Sequence, residues 1–130
     1  MIADFLALLN SDAGFTAAVG EDKAFVVRAP QTMAKPYVVV RRRGLQPLDV
    51  KGQASELDTP MIDVAVYADK YKTAQEISVI IRDICDNHRG GIFKAMWFVN
   101  VEDLFDPADG NDGAVVMVNT YKAKVVNSIA

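Results

Sequence analysis

One cysteine and one histidine, Cys85 and His88, occur in the 130 residues. A single thiol cannot close a disulfide within the chain, and a reducing compartment is the simplest setting. The pair also falls short of the ligands a structural zinc site requires. Positive charge is not in excess: 14 lysines and arginines stand against 17 aspartates and glutamates, a formal net charge of -3. Domains that bind nucleic acid usually carry a strongly basic patch or isoelectric point, so DNA recognition is a poor reading of this composition. No apolar run approaches the roughly 18 residues of a membrane-spanning helix, and no membrane partner is expected. Residues 1–10 carry Asp4 and no cationic stretch before the apolar residues, unlike a signal peptide. Folding in a cytoplasm is expected. Neither a Walker loop nor a Gly-x-Gly-x-x-Gly pattern is present, and no cofactor is expected.

What the chain has is apolar content arranged with clear periods. Hydrophobic residues make up 51%, slightly above the usual share, which leaves apolar surface for a partner or for further copies of the chain. The length fits one domain, residues 1–130, able to bury about two-thirds of its unfolded surface without metal or disulfide. Ile2, Phe5, Leu6 and Leu9 share one helical face. Phe15–Val19 reads as a short further turn. Ala24–Ala29 reads as a strand, as do Pro36–Arg43, Met61–Tyr67, Ile92–Val101 and Ala114–Lys124. The best helix follows Thr73, which with Glu76 forms a capping-box pattern. Its stripe is Ala74, Ile77, Ile80, Ile81, Ile84 and Cys85, and Gly90-Gly91 supplies a stop. Strands joined without helices pair antiparallel. The expected fold is therefore α+β, a mainly antiparallel sheet of about five strands with two helices packed on it.

The segment Gly44–Thr59 stands out. It reads as a polar loop between two β-branched runs, and connections beyond about twelve residues are usually functional or disordered. Gly44, Pro47 and Gly52 break regular structure, while Leu45, Leu48, Val50 and Leu57 are apolar groups able to bury on docking. It is expected to project from the sheet, mobile alone and ordered in an assembly. Arg41-Arg42-Arg43 at its start is the one basic run, with Arg42 on the opposite face of the strand from Arg41 and Arg43. It reads either as a solvated strand end that blunts an edge or as a positive rim facing an acidic partner or passing DNA.

Catalytic constellations fall short. Cys85 and His88 lie three residues apart on a helix, so a nucleophilic dyad is conceivable. The plainer reading is a small buried hydrophobe beside a helix-end histidine. The acidic segment Glu102–Gly113 has neither the ligand spacing nor the glycine of a calcium loop and reads as a solvated turn. Phe93, Ala95 and Trp97 alternate onto one face of their strand, as core or as an interface pair.

The order of elements, with Ile-Ala-Asp-Phe-Leu-Ala-Leu-Leu at residues 2–9, Ala29-Pro30, Lys35-Pro36-Tyr37-Val38-Val39-Val40, the polar segment, and Ile62–Asp69 before an isoleucine-rich helix, resembles the tail-terminator (tail-completion) proteins of long-tailed bacteriophages. The likeness spans roughly Ile2–Lys124. It implies a structural virion protein at the tail–neck junction and not an enzyme. Such a protein forms a homohexameric ring on the head-proximal end of the tail tube, ends tube polymerisation and joins the head. Its partners would be itself, the tail-tube protein and the head–tail connector or stopper, with DNA only passing through the channel. The docking element under this reading is Arg41, Arg42, Arg43, Leu45, Leu48, Val50, Lys51 and Leu57. Alternatives are a head–tail adaptor or stopper, a tail-tube subunit, or more remotely a small cytoplasmic enzyme using Cys85 and His88.

Overall fold

The computed structural model describes residues 2–20, 23–27, 29, 34–50, 53–106 and 113–126; for residues 44–50, 53–58 and 126 it describes the backbone alone. The elements are α1 (Ile2–Asn10), α2 (Ala13–Val19), β1 (Ala24–Val26), β2 (Tyr37–Val50), β3 (Gln53–Ala68), α3 (Tyr71–Cys85), β4 (Phe93–Asp106) and β5 (Ala114–Val126). The fold is α+β. Its strands form one five-stranded sheet in the order β1-β2-β3-β5-β4. All neighbouring pairs are antiparallel except β1 with β2, which is parallel and departs from the expected hairpin. No single helix among the described residues is long and apolar enough to cross a membrane.

The helices lie on one face. α1 touches β1 and β2, α2 touches α1 and α3, and α3 lies on β3, β5 and β4. The strand period of two sends Val38, Val40, Ile62, Val64, Val66, Tyr121, Ala123 and Val125 to this side, where all are buried. Phe5 and Leu9 of α1, Phe15 and Val19 of α2, and Ala74, Ile77, Ile81 and Cys85 of α3 close over them. The expected stripes of α1 and α3 are thus the core contacts, with Ile80 and Ile84 packed at the margin. Burying each valine, leucine, isoleucine or phenylalanine among them contributes about 1.5–3 kcal/mol. The expectation of two helices becomes three, because Phe15–Val19 is a helix of its own, with the Asp12 carboxylate accepting from the Phe15 amide at 2.9 Å.

Two helix boundaries differ from their sequence signals. α3 starts at Tyr71 with Lys70 as its N-cap and no side-chain cap, so the Thr73 capping box is not used. The short Asp69-Lys70 link after β3 sets the start instead. α3 stops at Cys85, where Asn87 takes a positive φ of 63°, a conformation asparagine tolerates. Gly90 and Gly91 serve a later turn, with Gly90 bridging to Phe93.

The largest difference is Gly44–Thr59, which is not an irregular loop. β2 runs to Val50 and β3 begins at Gln53, with Leu45 opposite Pro60, Gln46 opposite Thr59 and Val50 opposite Gln53. β5 reaches along its base, pairing Val126 with Leu57 and Val125 with Asp58. Gly44 and Pro47 are absorbed by register shifts at Arg42–Gly44 and Pro47–Asp49, Gly52 lies outside the described residues, and Pro60, which has no N–H, lies between the Asp58–Val125 and Met61–Lys122 rungs. The acidic segment is likewise partly strand, since β4 continues through Glu102 to Asp106. A register shift between Phe93 and Ala95 turns the strand, so Phe93 and Met96 face the helices while Ala95 and Trp97 face away, correcting the expected shared face.

Gly113 opens β5 with φ +77°, and a Cβ there would stand 2.6 Å from Phe105 Cζ and 2.9 Å from the Asp106 carbonyl oxygen. Gly91 also has positive φ, +56°, with nothing within 4 Å of an added Cβ. Gly113→Ala should cost about 2–3 kcal/mol and Gly91→Ala about 1 kcal/mol. Thermal unfolding followed by circular dichroism checks the order, and equal losses would refute the steric account.

Candidate assembly surface

The arginine run lies on β2, and its alternation is as the sequence suggests. Arg41 and Arg43 face away from the helices, where β3 places Asp63 opposite Arg41. The Asp63 carboxylate is 4% exposed. It accepts from Arg41 Nη2 at 3.3 Å, lies 3.6 Å from Arg43 Nε, and accepts from the Thr120 hydroxyl at 2.7 Å. Burying a carboxylate is costly unless it is paired and hydrogen-bonded, and this one has both. The guanidiniums are 60% and 51% exposed, so they roof the carboxylate while facing solvent. Arg42 is exposed on the helix side. Three guanidiniums against one buried carboxylate leave this strand segment basic.

Of the other expected docking residues, Leu45, Leu48, Val50 and Leu57 lie on the hairpin strands, with side chains outside the described residues, and Lys51 lies outside them altogether. The helix-free face around Asp63 is apolar. Tyr37 and Tyr67 stack at 4.7 Å, Phe25 meets Tyr37 edge-on, and Val39 and Val116 are buried. A depression of about 200 Å³ lies among Val27, Val39, Ala65, Leu104 and Val118.

The β4 edge was not singled out by sequence reasoning. Val99, Val101, Leu104 and Phe105 are 45%, 45%, 48% and 61% exposed. The signal was present as apolar residues interleaved with Glu102, Asp103 and Asp106, but the acids read as a turn. On the helix side of this edge, a groove of about 170 Å³ is lined by Tyr71, Ser78, Arg82, Phe98, Val101 and Asp103, among others. The Tyr71 hydroxyl donates to Asp103 at 3.2 Å, which raises its pKa. Arg82 lies 3.8 Å over the Phe98 ring, and Asn119 donates to the Ser78 hydroxyl at 2.9 Å inside the core.

Cys85 is fully buried, and burial above all, with Asp86 nearby, pushes its thiol up to about 12. A thiol of that kind is protonated at neutral pH and makes a poor nucleophile. His88 is half-buried with its ring edge-on to Phe93 at 6.1 Å. The Tyr121 hydroxyl is the one buried side-chain polar atom without a hydrogen bond among the described residues, and burial raises its pKa. No group of three or more His, Cys, Asp or Glu able to hold a metal occurs among the described residues.

The family model described as Tail completion protein gp17 matches residues 3–122. The chain belongs to the tail-completion protein family. It is therefore a structural protein of the phage-type tail and a component of the virion. A chain in the structure titled "Virion of native gene transfer agent (GTA) particle" shares its fold, with a TM-score of 0.71 at 19% identity over 94% of this chain and 91% of that one. None of the curated proteins compared matches it.

For this tail-completion protein, native Cys85 should react with a thiol reagent far more slowly than in urea, as followed by absorbance; rapid native labelling would contradict its burial. Asp63→Ala strands the buried Thr120 hydroxyl and removes the partner of two arginines, and should cost about 2 kcal/mol. Arg42→Ala should stay within about 0.5 kcal/mol. Urea midpoints distinguish the two, and a neutral Asp63→Ala would show that the cluster is not structural.

Proposed function

We propose that this protein caps the head-proximal end of the tail tube as a ring of copies of itself, ends tube polymerisation and offers the joining surface for the head. The carrying observation is the family match over residues 3–122. The fold likeness to a virion chain along 94% of the present chain supports it. In this reading its partners are the tail-tube protein and the head's connector or stopper. The ring is homohexameric, and DNA meets it only in passing through the channel. The role is structural and not enzymatic, in keeping with a Cys85 thiol held protonated by burial.

The β2–β3 hairpin takes the place of the projecting loop as the element that engages a neighbour. It is backed by strand pairing through Val50–Gln53, and so presents a preformed ladder. A preformed element gives up less conformational entropy on docking than a free loop. Arg41, Arg42 and Arg43 stand where the hairpin leaves the domain, with Leu45, Leu48, Val50 and Leu57 on its two strands.

Omitting the protein from tail assembly should give tubes of uncontrolled length without heads, seen by negative-stain electron microscopy, and adding it back should restore both length and joining. Tubes of normal length carrying heads in its absence would overturn the reading; no tubes at all would make it a tube subunit instead. Deleting Gln46–Glu56 leaves Leu57-Asp58-Thr59 to turn the chain between the paired Leu45 and Pro60. This variant should melt cooperatively, yet yield particles that fail to join heads. Infectious particles at normal titre would rule the hairpin out as the docking element.

A further inference from the structure

The sheet ends in two unlike edges. β4 is an outer strand. At the other end, β1 pairs with β2 only at Val38, Val39 and Val40. From Arg41 onward, β2 has a strand neighbour on one side alone among the described residues. Open edges invite pairing with another chain, and proteins commonly blunt them with lysine, proline or a cover. Residues 99–106, Val-Asn-Val-Glu-Asp-Leu-Phe-Asp, contain neither lysine nor proline, and four of their apolar side chains are exposed. A strand that is both open at its edge and apolar is poorly suited to solvent, and well suited to being covered by an added strand.

Charge decides which strand covers it. Two β4 edges laid together would bring Glu102 and Asp103 against their own copies, and two β2 edges would oppose arginines. Like charges directly across a strand pair destabilise it, and opposite charges stabilise it. We propose that copies of this chain join head to tail through these edges, the Val99–Leu104 stretch of β4 on one copy lying antiparallel along β2 of the next from Arg41 onward, clear of β1. The inference rests on the ring reading above and names the contact that builds the ring.

The faces agree as well. Rotation about a ring axis keeps each sheet face on the same side, so helix face continues into helix face. Asp103 is opposite Met117 on the helix face and Arg42 is opposite Ile62 on the same face. Glu102 is opposite Val118 on the helix-free face, the face that carries Arg41 and Arg43. Each acid thus meets arginine of its own face. The two surfaces differ from one another, as a contact that closes into a ring of more than two copies requires.

Paired cysteines test the geometry. Arg42→Cys and Asp103→Cys in one chain, mixed with tail tubes and oxidised, should give a covalent ladder ending in a closed ring. Either single variant should give no covalent dimer, since buried Cys85 does not compete. In parallel, Arg42→Glu or Asp103→Arg alone should weaken ring formation on tubes at least about tenfold, because like charges then face each other. The double reversal Arg42→Glu with Asp103→Arg should restore it, which a merely misfolded variant cannot do. Rings that form normally on tubes with no ladder and no effect of either reversal would overturn the edge assignment and leave the ring standing. Covalent dimers from a single-cysteine chain would show a like-to-like contact and overturn it too. Tubes that never acquire a ring of wild-type chain would overturn both readings.

Discussion

The rest of the structure depends on a sheet whose helices, among the described residues, all pack on one face. Val38, Val40, Ile62, Val64, Val66 and Tyr121 form an apolar surface, and α1, α2 and α3 all pack on that side. The hydrophobic gain is thereby concentrated in one layer. The other face and both edges must then be held, or hidden, by other means. Aromatic stacking of Tyr37 on Tyr67 and the roofing of Asp63 by two arginines serve the face. Among the described residues, the only strand that covers part of an edge is the short β1.

That imbalance suits a protein that works by assembly. A monomer whose edges were fully blunted would have nothing left to offer a neighbour. Here the apolar and acidic β4 margin and the basic β2 margin are opposite in character, which favours unlike contacts over like ones. The Asp63 cluster shows that the arginine run is both structural and surface: two of its members are tied to a buried carboxylate and still half in solvent. The run is not a strand end, since β2 continues to Val50, and its part as a positive rim belongs to the proposed assembly.

The thiol and the histidine are both drawn into the packing of this arrangement. The one thiol is packed between helix and sheet, where desolvation keeps it protonated, and the one histidine packs its ring against Phe93. One groove lies beside α3, lined by Val101, Phe98 and Tyr71 among others, and a second depression lies on the helix-free face among Val39, Ala65 and Val118.

Local periodicity determined a good deal without any structure. The stripe of Ile77, Ile81 and Cys85, the face of Phe5 and Leu9, the β-branched runs of β2, β3 and β5, and the opposite facing of Arg42 all follow from repeats of 3.6 and 2 that the chain carries in itself. The family likeness rested on the same elements. The tertiary structure alone decided the rest. Gly44–Thr59 holds glycines and a proline that read as a loop, yet its two halves pair with one another as β2 and β3, and β5 adds rungs at Leu57 and Asp58. Glu102–Asp106 reads as a turn because acids are poor strand formers, yet on an outer strand they stay in water while the backbone pairs. Faces after Phe93 were turned by a bulge that no period announces. On β4, pairing with β5 overrode local preference where the exposed side chains of Glu102 and Asp103 stay solvated.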